Sequence, residues 1–393
     1  MVQRDLLTLS LYQLLASNRG GLFIVYFPLF LIEDKGATFP EALALLSAAY
    51  VVASLVSPVA GRWSDRLGRR KSFLLGAELG ALPFFAIIPF LSTFWLAGIA
   101  FVAAQTVLAV GAPALSAYVA DVTRENERGL GYGWLNATAS AGAVAGTIIA
   151  GIVTVEYGLA ALFPFVVAIM IGTVLIVALL VREVRQPPTE RRARWTELRP
   201  VATFSFAVSI RGLGAGAIAT TFGTYAYLLG ANTFEVGLVA VAGLLAQALA
   251  GVPLGRMVDR TGEIAAIWYG TLLTLGAIGI FAVASTWTVL IPAQVVRNLG
   301  FALLSPGMLA WVARASPPGR RAEYLGYFAL INSTMWSLGP LAGAVAIQFA
   351  GLNGLFAFAV GTTVASVLLV FFLYRRRAFG RTLEPATTKS GVF

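Results

Sequence analysis

Gly61-Arg62-Trp63-Ser64-Asp65-Arg66-Leu67-Gly68-Arg69-Arg70-Lys71 is an island of charge between two long apolar runs. Each run approaches the roughly 20 residues that a helix needs to cross a bilayer, so the island reads as a tight loop at a membrane surface. A weaker copy, Gly255-Arg256-Met257-Val258-Asp259-Arg260-Thr261-Gly262-Glu263, begins 194 positions later (255 − 61). Glycines at both ends of each island permit a sharp turn and close approach. The aspartate between them suits either a helix start or an arginine.

The composition agrees with a membrane setting. Of 393 residues 58% are hydrophobic and 12% charged, against roughly 45–50% and about 25% in soluble domains. The first apolar run continues past the length of a signal-peptide core, so it is expected to be a span and not a cleaved leader. A net charge of +10 would suggest a nucleic-acid partner in a soluble chain. Here 24 of the 28 Lys and Arg fall on one side of the expected spans, one (Lys35) on the other, and three within them. That asymmetry is topological, predicts both termini in the cytoplasm, and leaves no case for nucleic acid.

Cysteine and histidine are absent. Thiolate and imidazole chemistry is thereby excluded, no metal or other cofactor is expected, and any proton coupling must use carboxylates alongside tyrosines. No clustered acid pair suggests an enzyme, and no GxxxxGK[ST] loop supplies an ATP motor. The energy source is then expected to be a gradient.

Twelve spans are predicted, near residues 6–32, 41–61, 72–91, 94–119, 129–155, 159–180, 201–229, 234–254, 264–284, 287–313, 324–349 and 352–374. They divide the chain into a six-helix bundle over 1–182, a polar cytoplasmic linker over 183–200, a second six-helix bundle over 201–374, and a cytoplasmic tail over 375–393. The halves repeat. Arg19-Gly20 matches Arg211-Gly212 at an offset of 192, Pro113 matches Pro306 at 193, and Leu130-Gly131-Tyr132 matches Leu325-Gly326-Tyr327 at 195. Thr38-Phe39 matches Thr233-Phe234 at 195 as well. An even number of spans in each half makes the copies parallel, an arrangement that places a site near the midplane where the halves meet.

The island resembles the loop signature G-x-L-a-D-R-x-G-R-[RK] of the major facilitator superfamily, with Trp63 and Ser64 where that family usually has Leu and Ala. The stretch Arg19 to Pro28 resembles the first-helix pattern of the twelve-helix drug:proton antiporter branch. The fold implied is an all-α membrane protein with two pseudosymmetric six-helix bundles. The resemblance also implies a latch of the outward-facing state in which Gly61, Asp65, Gly68 and Arg69 act with Asp121. In the second copy Glu263 stands for Arg69 and Arg314 for Asp121, so the polarity of the pair is exchanged at Asp259, Glu263 and Arg314. Gly133, Gly142, Gly146 and Gly151 resemble the antiporter signature of the fifth span, although Thr147 replaces the usual Pro; ordinary small-residue packing explains them as well.

An ionisable side chain near the midplane is costly, so its default role is functional. Arg19, Arg211 and Arg297 qualify. Arg19 shares a helical face with Tyr12, Phe23 and Tyr26, and Gln294, Arg297, Asn298 and Ser305 form one stripe of the tenth span. By family architecture Tyr50, Asn136, Gln247, Asn332 and Trp336 flank the same cavity, as ligand contacts or as interhelical hydrogen bonds. Glu78 is the one acid within a span, either a partner for an arginine or the proton carrier. No expected cavity helix has a mid-span carboxylate, which favours an anionic or neutral cargo over a cation. The expected function is secondary active transport of a small organic solute by alternating access, proton-coupled and outward, by a monomer in the plasma membrane. Uptake or exchange of organic anions or phosphorylated metabolites, and lipid flipping on the same scaffold, remain alternatives.

Overall fold

In a computed structural model the chain is described over residues 2–185, 194–231 and 233–375, and the described residues are helical throughout apart from short turns. Residues 186–193 of the expected linker and 376–393 of the expected tail lie outside them, as does the side chain of Phe23.

The helices are α1 (Val2–Glu33), α2 (Phe39–Leu67), α3 (Lys71–Ile87), α4 (Phe94–Ala109), α5 (Gly111–Val122), α6 (Arg128–Tyr157), α7 (Leu162–Leu179), α8 (Trp195–Ser209), α9 (Arg211–Leu228), α10 (Thr233–Thr261), α11 (Glu263–Ala282), α12 (Leu290–Ala315) and α13 (Arg321–Arg375). Two pairs are halves of one span: α4 and α5 meet at Val110, α8 and α9 at Ile210. Conversely α13 is two spans, divided where Ala350 leaves helical geometry and Gly351 takes φ 60°. Among the described residues the result is twelve helical segments in the order expected for twelve spans. The first, 32 residues long, reaches about 48 Å at 1.5 Å per residue, more than a hydrocarbon core of about 30 Å requires.

The loop signature forms as its residue types demand. Gly68 ends α2 in the left-handed region at φ 61°, its N–H donating to the carbonyl of Asp65, a conformation that costs glycine nothing. Glu183, from the end of the sixth span, then accepts from the backbone N–H groups of Arg70 and Lys71 at 2.7 and 3.0 Å. Its carboxylate satisfies donors that the start of α3 would otherwise leave open.

Both ends of the bundle have apolar cores, and they differ in kind. The end carrying the charged islands is called here the basic face, its opposite the far face. At the far face Phe27 stacks on Phe101 at 4.0 Å, with Phe30, Phe85 and Phe163 around them, all in the first half. Tyr225, Phe281 and Phe356 build a separate core in the second half, with the Tyr225 hydroxyl donating to the carbonyls of Phe281 and Ala284. At the basic face the cores mix the halves: Ala310 and Ala313 lie with Leu9, Tyr118 and Tyr132, and Ala117 lies with Met308 and Trp311. The halves are therefore joined at the basic face through α2 against α13 and α6 against α10.

Small residues allow that closeness. A Cβ on Gly61 would overlap the carbonyl of Ala322, one on Gly133 would meet the Gly251 carbonyl at 2.5 Å, and one on Gly255 would meet Gly129 at 2.6 Å. Gly142 and Gly146 do the same work inside the first half, against the backbone of Leu14 and Asn18 on α1. Close helix packing thus accounts for Gly133, Gly142 and Gly146 in the fifth span.

Candidate functional site

The basic face holds a reciprocal pair of carboxylate contacts between halves. Asp65, at the end of α2, accepts from the backbone N–H groups of Ala322 and Glu323 at 3.3 and 2.7 Å, in the first turn of α13. Asp259, at the end of α10, accepts from Gly129 and Leu130 at 2.6 and 2.7 Å, in the first turn of α6. The two arrangements are related by the internal repeat. In each, an anion meets open N–H groups and the positive end of a helix dipole belonging to the opposite half.

Asp65 is only 2% exposed, and its partner is Arg70, itself wholly buried. The Arg70 guanidinium reaches Asp65 at 2.6 Å, Ser64 Oγ at 2.9 Å and Asp121 at 3.2 Å. The expected pairing of Arg69 with Asp121 is corrected here, because Arg69 is exposed. Gly68 turns the chain before Arg69, which leaves that side chain outward and brings the next residue back beneath α2. Asp121 also takes Arg321 at 2.6 Å, so one carboxylate carries an arginine from each half. In the second copy Glu263 pairs with Arg314 at 2.7 Å, the exchanged polarity. By the offset of the two islands, 194 (263 − 69), it lines up with Arg69, while the paired arginine of the first half is Arg70, one residue later.

Of the three arginines in the spans, Arg19 is compensated. Its guanidinium donates to Glu78 at 2.7 Å, and the same carboxylate accepts from Tyr12 at 2.9 Å and Thr173 at 2.9 Å. Arg211 is 5% exposed and has no carboxylate partner among the described residues. Its Nη2 lies 3.7 Å from Met308 Sδ and its Nε has no acceptor. Arg297 is partly exposed and donates to Gln294 at 2.6 Å, while the Asn298 amide donates to the Gln294 carbonyl at 2.8 Å. Three members of the expected polar stripe of the tenth span, Gln294, Arg297 and Asn298, are thus hydrogen-bonded to one another.

Among the neighbours, Asn332 accepts from Ser209 at 3.2 Å, Trp336 is 37% exposed, and Gln247 is buried. Tyr26 is half-buried beside Gly151, and the Asn136 amide nitrogen is buried without an acceptor. The structure therefore brings Arg19 and Glu78 together, and separately Gln294, Arg297 and Asn298. Arg211 stands apart from both groups.

The family model for the Major Facilitator Superfamily matches residues 9–209 and 204–391. The chain belongs to that superfamily. Multidrug resistance protein 2 of Bacillus subtilis strain 168 is 27% identical over 345 residues, 82% of each chain. The quinolone resistance protein NorA of Staphylococcus aureus is 27% identical over 173 residues, 42% of this chain and 43% of that one. Among solved structures, the human organic anion transporter MFSD10 (TETRAN) superposes with a TM-score of 0.77 at 17% identity, over 95% of this chain and 99% of that one. A bacterial homologue of the iron transporter ferroportin, in an outward-facing state, gives 0.73 at 18% identity, over 95% and 100%. These two establish the fold. As a member of the superfamily the chain is an integral membrane transporter of small molecules and not an enzyme.

Within this superfamily fold several contributors escape motif reading. Arg70 sits inside the signature yet is easily taken for topogenic charge, and Arg321 and Glu183 lie outside every motif. Arg321 had one available signal: it is the repeat mate of Arg128, each the first residue of its helix, at an offset of 193 (321 − 128). Burial separates the two arginines of the loop experimentally. Arg70→Gln leaves Asp65 with backbone donors alone and Asp121 with Arg321 alone in a nearly dry site, and breaking a buried pair costs about 3–5 kcal/mol. That variant is expected to lower the melting temperature in detergent by several degrees, with Arg69→Gln unchanged; equal effects would return the role to Arg69.

Proposed function

We propose that the chain is a secondary active exporter of small organic solutes, anionic or neutral, that works by alternating access as a monomer in the plasma membrane, with the basic face and both termini cytoplasmic. One observation carries the reading. The halves are fastened at the basic face by Asp65 on α13 and Asp259 on α6, while the far-face aromatic cores belong to one half each. A molecule closed at one end and divided at the other is the outward-facing member of an alternating-access cycle. Gly61, Asp65, Gly68, Arg70, Asp121, Asp259, Glu263, Arg314 and Arg321 are then the cytoplasmic latch. Relatives named for multidrug and quinolone resistance support the outward direction.

The carboxylate proposed for proton coupling is Glu78. Taking up a proton there would release Arg19 from its counter-ion, and the pair ties α1 to α3, so its loss moves a helix of the cavity. The test is cargo-driven proton movement in proteoliposomes loaded with pyranine. Glu78→Gln is expected to abolish the pH change while facilitated counterflow of cargo persists; an unchanged pyranine response removes Glu78 as the carrier. A second reading, exchange or uptake of organic anions, is favoured by Arg211 and Arg297, neither of which faces a carboxylate among the described residues. Transport of a labelled anion that requires a trans anion, with no dependence on a pH gradient, would select it.

A further inference from the structure

Arg19 and Arg211 occupy equivalent places in the repeat, yet their surroundings differ by one charge. Glu78, Tyr12 and Thr173 enclose Arg19. At the offsets that relate the two halves, 192 to 195, Glu78 corresponds to residues 270–273, and these are Gly270, Thr271, Leu272 and Leu273. The counter-ion is missing from the second half by sequence. Arg211 is nonetheless 5% exposed, with an unpartnered Nε and a thioether as the neighbour of Nη2. A buried guanidinium with no carboxylate partner among the described residues is an expensive arrangement that a fold does not keep for stability.

We propose that the anionic group of the cargo is the counter-ion of Arg211, taking in the second half the place that Glu78 holds in the first. The site accepts one carboxylate or sulfonate and not a doubly charged group. Arg19 is already neutralised, and Arg297 lies eleven residues before Met308 on α12, about 16 Å along the helix. The neighbourhood selects the rest of the molecule. Met308, Phe204 and Trp311 belong to one apolar cluster, with Phe204 stacked on Trp311 at 3.5 Å, so an aromatic ring attached to the anion suits it. Because this wall is shut when the basic face is closed, Arg211 meets cargo when that face opens, and closing presses the anion away from it. The inference rests on the transport reading above and names the cargo class within it.

The probes are 1-naphthoate and its neutral methyl ester, with the purified full chain. Binding is followed by tryptophan fluorescence and transport by counterflow in proteoliposomes. Wild type is expected to bind the carboxylate more tightly than the ester. Arg211→Gln should weaken naphthoate about tenfold or more, the order expected for a lost charge-assisted hydrogen bond, and leave the ester within about twofold. Met308→Glu, which sets a carboxylate beside Nη2, should produce the same split without removing the arginine. Equal loss of both probes in Arg211→Gln, unchanged naphthoate binding, or no wild-type preference for naphthoate would overturn the proposal. Failure of the transport reading looks different: naphthoate still binds through Arg211, and neither probe shows counterflow.

Discussion

Asp65→Asn combined with Asp259→Asn is expected to abolish net transport and leave the basic face open. Each carboxylate accepts two backbone N–H groups of a helix in the other half. An asparagine keeps one acceptor oxygen, loses the charge, and turns an N–H₂ toward donors. A hydrogen bond to a charged group is worth about 1.5–3 kcal/mol. Taking about 2 kcal/mol per site, each substitution shifts the balance away from the closed form roughly 30-fold, and the pair about a thousandfold if the sites add. The readout uses the absence of cysteine in the natural chain. Ser57 is 4% exposed, under Gly326 of the opposite half, so Ser57→Cys reports opening of the latch. Maleimide labelling of that cysteine should be slow in the otherwise unaltered chain and at least about tenfold faster in the double variant. Slow labelling in both would mean that the two aspartates do not hold the halves together.

The architecture was legible because its signals are long and redundant. Twelve apolar runs, a positive charge concentrated on one side, and a repeat visible in residues as different as Arg19/Arg211 and Pro113/Pro306 all constrain the same bundle. The site was less legible, and the misses have a common cause. Arg69 and Arg70 are adjacent and alike in sequence; which one is buried depends on the φ of Gly68 one residue earlier, a tertiary detail carried by no periodicity. Similarly, the loop signature suggests one arginine partner for Asp121, while Arg321 comes to it from the second half because α13 starts against α5. Glu78 could be recognised as isolated, but its choice of Arg19 required the packing of α1 and α3 on α7.

The same comparison explains why the two halves are unequal partners. In the first, charge is closed: Arg70 with Asp65 and Asp121, Arg19 with Glu78. In the second, Arg314 stands where Asp121 would, so Arg128 of the first half meets the exposed Glu125 at 3.4 Å instead of a buried carboxylate, and Arg211 has no carboxylate partner among the described residues. A duplicated scaffold with identical charges would have two equivalent binding walls. The two repeat-related arginines of the spans differ instead: Arg19 is closed by Glu78, and Arg211 has no carboxylate partner among the described residues.

A disulfide across the middle of the molecule should stop the cycle from the opposite direction. Ser54 on α2 and Thr334 on α13 have hydroxyl oxygens 3.3 Å apart, each from a different half. Sulfurs in place of those two oxygens would lie close enough to be drawn into an S–S bond of about 2 Å. If the halves rock about the cavity, α2 and α13 must part at this level for the basic face to open, and a covalent bond of about 2 Å forbids it. Oxidised Ser54→Cys/Thr334→Cys is therefore expected to lose transport to the background of empty liposomes, and a reducing agent should restore it. Each single cysteine should transport normally under oxidant, which separates the cross-link from the substitutions. The pair also discriminates between modes of motion. Full transport by the cross-linked protein would mean that α2 and α13 stay together through the cycle, and that cargo passes by bending of α8 and α9 at Ile210, not by separation of the halves.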